Sequence, residues 1–298
     1  MIAELGLEMS NLTRRRLLQL SALSATAAVT PSWLPFADHG TPAFGLCGSW
    51  EDGAFAKSAG CAYVEEGVGK FLMPLKSEEE FSSQVANATP VLPIPCLNVF
   101  LPAELKITGD HPRHDDIVSY AAIAFRRAEK MNTRIIVFGS SGARSVPENF
   151  DRDTAKGQFI SVCKSLAPIA AKHRVTLAVE ALQKSETNFI NKLAEAAEIV
   201  DVVHHPNVKM ICDIFHALRE DDPPEEIVRC KEHLVHCHIA EKQSRSAPGV
   251  HGDDFTPYFA ALKKINYQGR ISLECRWGNI EVELPNAVKT MTTQYAGA

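Results

Sequence analysis

From residue 44 onward the chain repeats one alternation eight times: a short β-branched or apolar run, then a longer segment with helical periodicity. The apolar runs are 44–48, 63–66, 91–99, 134–139, 176–181, 208–214, 234–240 and 270–275. Between and after them lie helical stretches at 53–59, 78–87, 113–131, 153–173, 188–203, 224–232, 254–265 and 281–294. The runs are continuously apolar, as parallel strands covered on both faces require. Eight such repeats predict a single (β/α)8 TIM barrel over 44–298, a fold of about 250 residues. A doubly wound open sheet is disfavoured, because no glycine-rich phosphate-binding turn follows any strand. Local signals agree. Ser77 with Glu80 predicts a capping box, Asp254 a cap on the seventh helix, and Pro223 with Pro224 the start of the sixth.

The segment before the first strand is of another kind. Arg14, Arg15 and Arg16 precede a weakly apolar stretch from Leu20 to Val29. The pattern resembles a twin-arginine export signal, and the apolar part is well short of the ~20 residues that span a membrane. Residues 1–37 are therefore expected to be a cleavable signal, cut near Ala37 or Ala43, with the mature protein in the periplasm and not inserted in the membrane. Removing 1–37 takes away three Arg and two Glu, which moves the formal net charge from −5 to −6. An acidic chain has no basic excess with which to neutralise a phosphate backbone, so nucleic acid is not the expected partner. Eight cysteines form no CxxC pair and no closely spaced framework, and five lie in the apolar runs. They are expected as free, buried thiols.

Polar residues recur where the strands run out. Glu180 ends LAVE, Asp213 ends KMICD, His238 lies in VHCHIAE and Glu274 ends RISLE. A parallel barrel carries the carboxyl ends of all its strands to one rim, so residues 33, 25 and 36 apart in sequence converge there. Three carboxylates crowded together would raise one another's pKa, and a divalent cation resolves that conflict. Mixed oxygen and nitrogen donors suit Mn²⁺, Mg²⁺ or Co²⁺, with Zn²⁺ also accommodated. The irregular segments 101–113 and 243–254 follow strands and are expected over the barrel mouth. Glu65 and Asn98, at the ends of the second and third strands, are open between the pocket and the rim. His236 is expected on the opposite side of its strand from His238, as a packed or hydrogen-bonded core histidine. His111, His114, His204, His205 and His251 read as surface or loop residues, His251 as a cover for the mouth.

The order Glu180, Asp213, His238, Glu274 resembles the sugar phosphate isomerase/epimerase superfamily, the xylose isomerase-like barrels, and especially ketose 3-epimerases of the D-tagatose 3-epimerase type. Further segments carry the likeness: VFGSSGARSVPENFD, ALQKSETNF, DIFHAL, HIAE with Arg245 and PG, and INYQGRISLE. The resemblance implies that Glu180, Asp213, His238 and Glu274 hold the metal and that Glu180 and Glu274 also act as acid and base. It implies sugar-hydroxyl contacts from Glu186, His216 and Arg245. Two positions depart from the pattern: Arg245 is seven residues past His238 where six are usual, and Gln183 stands where Asn is usual.

Carboxylates beside a metal-polarised carbonyl can move a proton at the adjacent carbon. The expected function is therefore a metal-dependent isomerase or epimerase of a ketose or keto-sugar. Alternatives are a lyase or dehydratase on a keto-sugar or inosose, and a sugar-binding barrel without chemistry. A DNA repair enzyme of the endonuclease IV type shares the fold but needs a richer ligand set and a basic surface. Homo-oligomerisation is expected only from the resemblance.

Overall fold

A computed structural model of the protein describes residues 41–298; the expected signal over 1–37 lies outside the described residues. Eight parallel strands close on themselves in sequence order: β1 (Ala43–Cys47), β2 (Tyr63–Gly67), β3 (Cys96–Asn98), β4 (Ile135–Phe138), β5 (Thr176–Val179), β6 (Val208–Asp213), β7 (Leu234–Ile239) and β8 (Arg270–Leu273). β1 pairs with β8 at Gly45 and Ser272, which completes the ring. The predicted (β/α)8 barrel is the fold of the described chain. Because Ala43 opens β1 opposite Arg270, a signal cut after Ala43 would remove a paired strand residue, whereas one near Ala37 would spare it.

The long outer helices are α3 (Glu78–Asn87), α4 (His114–Lys130), α6 (Arg152–Lys172), α7 (Leu193–Val203), α10 (Thr256–Lys264) and α11 (Ile280–Gly297); here α1 denotes Gly53–Ser58, α2 Val68–Phe71, α5 Ser141–Arg144, α8 Ile214–Arg219 and α9 Glu225–Arg229. Their apolar faces pack on the barrel wall. Phe100, Phe125, Phe138, Phe159 and Phe189 form a continuous aromatic column through this layer, with ring centroids 5.0–5.9 Å apart. The Ser77–Glu80 capping box is formed at the start of α3.

Some expectations need correction. The third strand shrinks from 91–99 to Cys96–Asn98, because Pro93 and Pro95 have no N–H to give a ladder. Their carbonyls still accept, from Val64 N and Arg134 N respectively. The helix expected from 188 starts at Leu193. Asn191 turns inward instead, its side chain donating to the carbonyls of Leu182 and Thr187. Asp254 accepts from Thr256 N, but the residue that caps α10 is Phe255. The sixth expected helix ends at Arg229, short of 232. The structure adds the short helices α2, α5 and α8, whose four to six residues are too few to display a period in sequence.

All eight cysteines are free thiols. Burial pushes Cys61 and Cys237 up to about 12, so these act as small apolar groups and not as nucleophiles.

Between β6 and β7 the register shifts at Met210/Ile211, absorbing one extra residue on β7. Beyond the shift Asp213 pairs directly with His238. The irregularity thus sets two of the strand-end residues side by side.

Candidate active site

The strand ends of β5 to β8 deliver Glu180, Asp213, His238 and Glu274 to one point. One ligand atom from each lies within 4.8 Å of every other. His238 Nδ1 is 3.3 Å from Glu180 Oε1 and 2.9 Å from Glu274 Oε2. Gly139, just past β4, makes room for this arrangement, since a Cβ there would stand 2.2 Å from Glu180 Oε2. Buried Arg144 ties the same corner down by donating to the carbonyls of Glu180, at 2.6 Å, and Ile190, at 3.2 Å.

Glu65 decides the state of His238. It is fully buried at β2 and accepts from His238 Nε2 at 2.9 Å, His236 Nε2 at 2.8 Å and Ser272 Oγ at 2.6 Å. Burial alone would raise its pKa, but His238 and His236 hold the carboxyl well below the usual carboxylate range. As Glu65 accepts the hydrogen bond of His238 Nε2–H, Nδ1 of His238 is left to face the carboxylates. A carboxylate that fixes a ligand histidine in this way is a regular partner of metal sites. His236 is the hydrogen-bonded core histidine expected, but not on the opposite side of the strand. Residues two apart on a strand share a face, and the two imidazoles stand 5.1 Å apart inside the barrel.

The donor set fits a divalent cation. His238 Nδ1 and Glu180 Oε1 are buried and, although close to each other and Nδ1 also to Glu274 Oε2, make no well-aligned hydrogen bond among the described residues. Burial opposes a charge on His238, yet Glu65 and Glu274 hold its pKa well above the usual imidazole range. The cluster therefore calls for positive charge at Nδ1, which a proton or a metal ion can supply. Burial raises Glu180, while at Glu274 the same burial is outweighed by His238 and Arg245, which bring it down to about 2.

Three further residues named from the sequence converge on this cluster. Arg245 Nη2 lies 2.6 Å from Glu274 Oε2 and 3.3 Å from Asp213 Oδ2, and Nη1 lies 3.4 Å from Glu186 Oε1. Ser244 and Arg245 both stand in the left-handed region, at φ 60° and 57°. His216 accepts from Gln183 N at Nδ1, which turns its Nε2–H toward Asp213 Oδ2, 3.4 Å away. Gln183 donates to Glu186 Oε1 at 2.7 Å and accepts from Arg219 Nε at 3.0 Å.

Sequence reasoning left three contributors undecided or unremarked. Glu65 is described above. Asn98 donates to Glu274 Oε1 at 3.2 Å and so orients that carboxylate. Glu241, buried just past β7, accepts from the backbone of Gly249, His251, Gly252 and Asp253, which fixes the segment carrying Arg245. Its signal was an acid closing the apolar run in HIAE. His251 is exposed and bonds Ser246 Oγ.

With this geometry in view, residues 54–293 match the xylose isomerase-like TIM barrel family. The chain belongs to that family. Its relatives include an L-ribulose 3-epimerase from Methylomonas sp., 30% identical over 40% of this chain and 42% of the relative. A D-psicose 3-epimerase from Enterocloster bolteae is 29% identical over 42% of each chain. The chain thus spans about two fifths of the length of these curated relatives. Among solved structures, D-psicose 3-epimerase from Clostridium cellulolyticum H10 superposes with a TM-score of 0.73 at 17% identity, covering 85% of this chain and 99% of that one. The barrel fold is shared over 85% of this chain, and the likeness to ketose 3-epimerases expected from the sequence is met by these relatives.

Proposed function

We propose that the protein is a metal-dependent isomerase or epimerase that moves a proton at the carbon next to a carbonyl of a ketose or keto-sugar. The observation that carries this reading is the convergence of Glu180, Asp213, His238 and Glu274 on one buried point, with His238 Nδ1 turned inward by Glu65. Relatives named as ketose epimerases support it. A divalent ion held by these four residues would supply positive charge to a carbonyl oxygen as the adjacent carbon gives up its proton. Mn²⁺, Mg²⁺ and Co²⁺ match the donors, three carboxylates and one imidazole.

The chain's own groups would then divide the work. Glu180 on the β5 side and Glu274 on the β8 side are the acid and base, one removing the proton and the other returning one. Return to the same carbon inverts it, and return to the neighbouring carbon exchanges ketose and aldose. Asn98 and Arg245 hold Glu274 in position, and Arg245, Glu186 and the Nε2–H of His216 line up to bind sugar hydroxyls. We also infer export by the twin-arginine route from the arginines at 14–16.

The test is solvent deuterium exchange. Metal-loaded protein incubated in heavy water with a panel of ketoses and 3-keto-sugars is expected to place deuterium at the carbon next to the carbonyl. Glu274→Gln is expected to abolish incorporation while melting as the parent does. Binding of a ketose with no incorporation in the parent would instead indicate a sugar-binding barrel, and loss of water from the substrate would indicate a lyase.

A further inference from the structure

Arg245, which contacts Glu274 and Asp213, also lines a cavity of about 230 Å³. Its charged and amide lining consists of Gln183, Glu186, Arg219, Lys242, Arg245 and Arg276. Four cations face one carboxylate, on a protein whose net charge is −5. Two of the cations are already answered. Arg245 is engaged by Glu274, Asp213 and Glu186, and Lys242 Nζ lies 3.0 Å from Asp221 Oδ1.

Arg219 and Arg276 are different. Arg219 spends only its Nε, on the neutral Oε1 of Gln183, and among the described residues neither guanidinium has a carboxylate partner. Arg276 sits two residues past Glu274, and its backbone N–H donates to the Arg245 carbonyl at 2.7 Å, which fixes it beside the sugar-contact residues. The hydroxyl-bearing Ser185 and Ser244 line the same cavity. Arg219 and Arg276 are both exposed at the mouth, and two guanidiniums lining one cavity can hold an anion through charge-assisted, often bidentate, hydrogen bonds.

We propose that the substrate is an acidic sugar, a ketose or keto-sugar whose end remote from the reacting carbons bears a carboxylate or phosphate held by Arg219 and Arg276. This rests on the reading of the barrel mouth as a carbohydrate site. It also gives Gln183 a purpose. The longer amide reaches Arg219 with its oxygen while its nitrogen holds Glu186 at 2.7 Å, linking the anion grip to the hydroxyl contacts.

Calorimetric titration of Mg²⁺-loaded protein with three matched ketoses tests the idea: D-fructose, D-fructose 6-phosphate and D-fructuronate. One or both charged ketoses are expected to bind about tenfold or more tightly than fructose, and the preferred one identifies phosphate or carboxylate. In the Arg219→Gln/Arg276→Gln double variant, checked for parental melting, the charged-to-neutral ratio is expected to fall toward one. A parental ratio of one or less, or a ratio unchanged in the variant, would overturn the proposal. Deuterium exchange with the best-bound ketose separates the two readings. Tight, arginine-dependent binding without exchange refutes proton transfer and leaves the anion site standing. Exchange into fructose without any preference for charge refutes the anion site and leaves proton transfer standing.

Discussion

At Glu65 one buried carboxylate serves two histidines and a serine, and the tautomer of His238 depends on it. Glu65→Gln keeps the shape but removes the charge and presents an amide N–H₂ where an acceptor is needed. The expected result is a fall of about 10- to 100-fold in Mn²⁺ affinity, read by equilibrium titration. Gly139→Ala tests the same point from the other side. The new methyl would stand 2.2 Å from Glu180 Oε2 and in ordinary contact with Leu182 Cδ1, so the Glu180 carboxylate has to move, and Mn²⁺ affinity should drop by more than the melting temperature does. A lowered melting temperature with unchanged affinity would contradict this. Glu180, Asp213 and Glu274 were legible because each is a polar residue closing an apolar run, and His238 because it interrupts one. The role of Glu65 was not, although an acid inside YVEE was a signal, because its contacts with β7 and β8 cross the barrel interior and no local pattern encodes them. The placement of His236 failed for a simpler reason, the two-residue period of a strand.

At the scale of elements, the loop between β7 and α10 is built around Glu241. Its carboxylate gathers the backbone N–H groups of Gly249, His251, Gly252 and Asp253, and the segment it fixes aims Arg245 at Glu274. Glu241→Gln leaves some of these N–H groups facing a donor, and a loss of about 1–3 kcal/mol is expected in denaturant unfolding. Substrate KM is expected to rise more than kcat falls, since Arg245 would lose its support without leaving the chain. The strands and long helices were readable from apolar runs and helical period. β3 was overread because proline removes ladder donors without making a segment polar. The short helices at the mouth were missed because Asp213 capping α8 through His216 N is a matter of one hydrogen bond rather than of pattern.

For the molecule as a whole, eight strand–helix repeats determined a closed barrel, and the barrel in turn brought together residues as far apart as Glu65 and Ser272. Stability away from the site depends on charge as well as on the aromatic column. Glu78 accepts from Arg126 and from Arg127, whose guanidinium is almost wholly buried, joining α3 to α4. Those hydrogen bonds bring Glu78 down to about 2, below its value in the unfolded chain. Its contribution is therefore present in full above the unfolded pKa and lost as pH falls through about 2. Melting curves of the parent and Glu78→Gln should differ by a constant amount above roughly pH 5 and converge in acid. A difference that grows in acid would contradict the assignment. The proposed proton transfer requires a single divalent cation at the ends of β5 to β8. Its most direct test is equilibrium Mn²⁺ binding to chelator-stripped protein, followed by the paramagnetic resonance of the free ion. The prediction is one ion per chain, lost in Asp213→Asn and His238→Gln while both variants stay folded; no saturable binding, or binding unchanged in those variants, would contradict it.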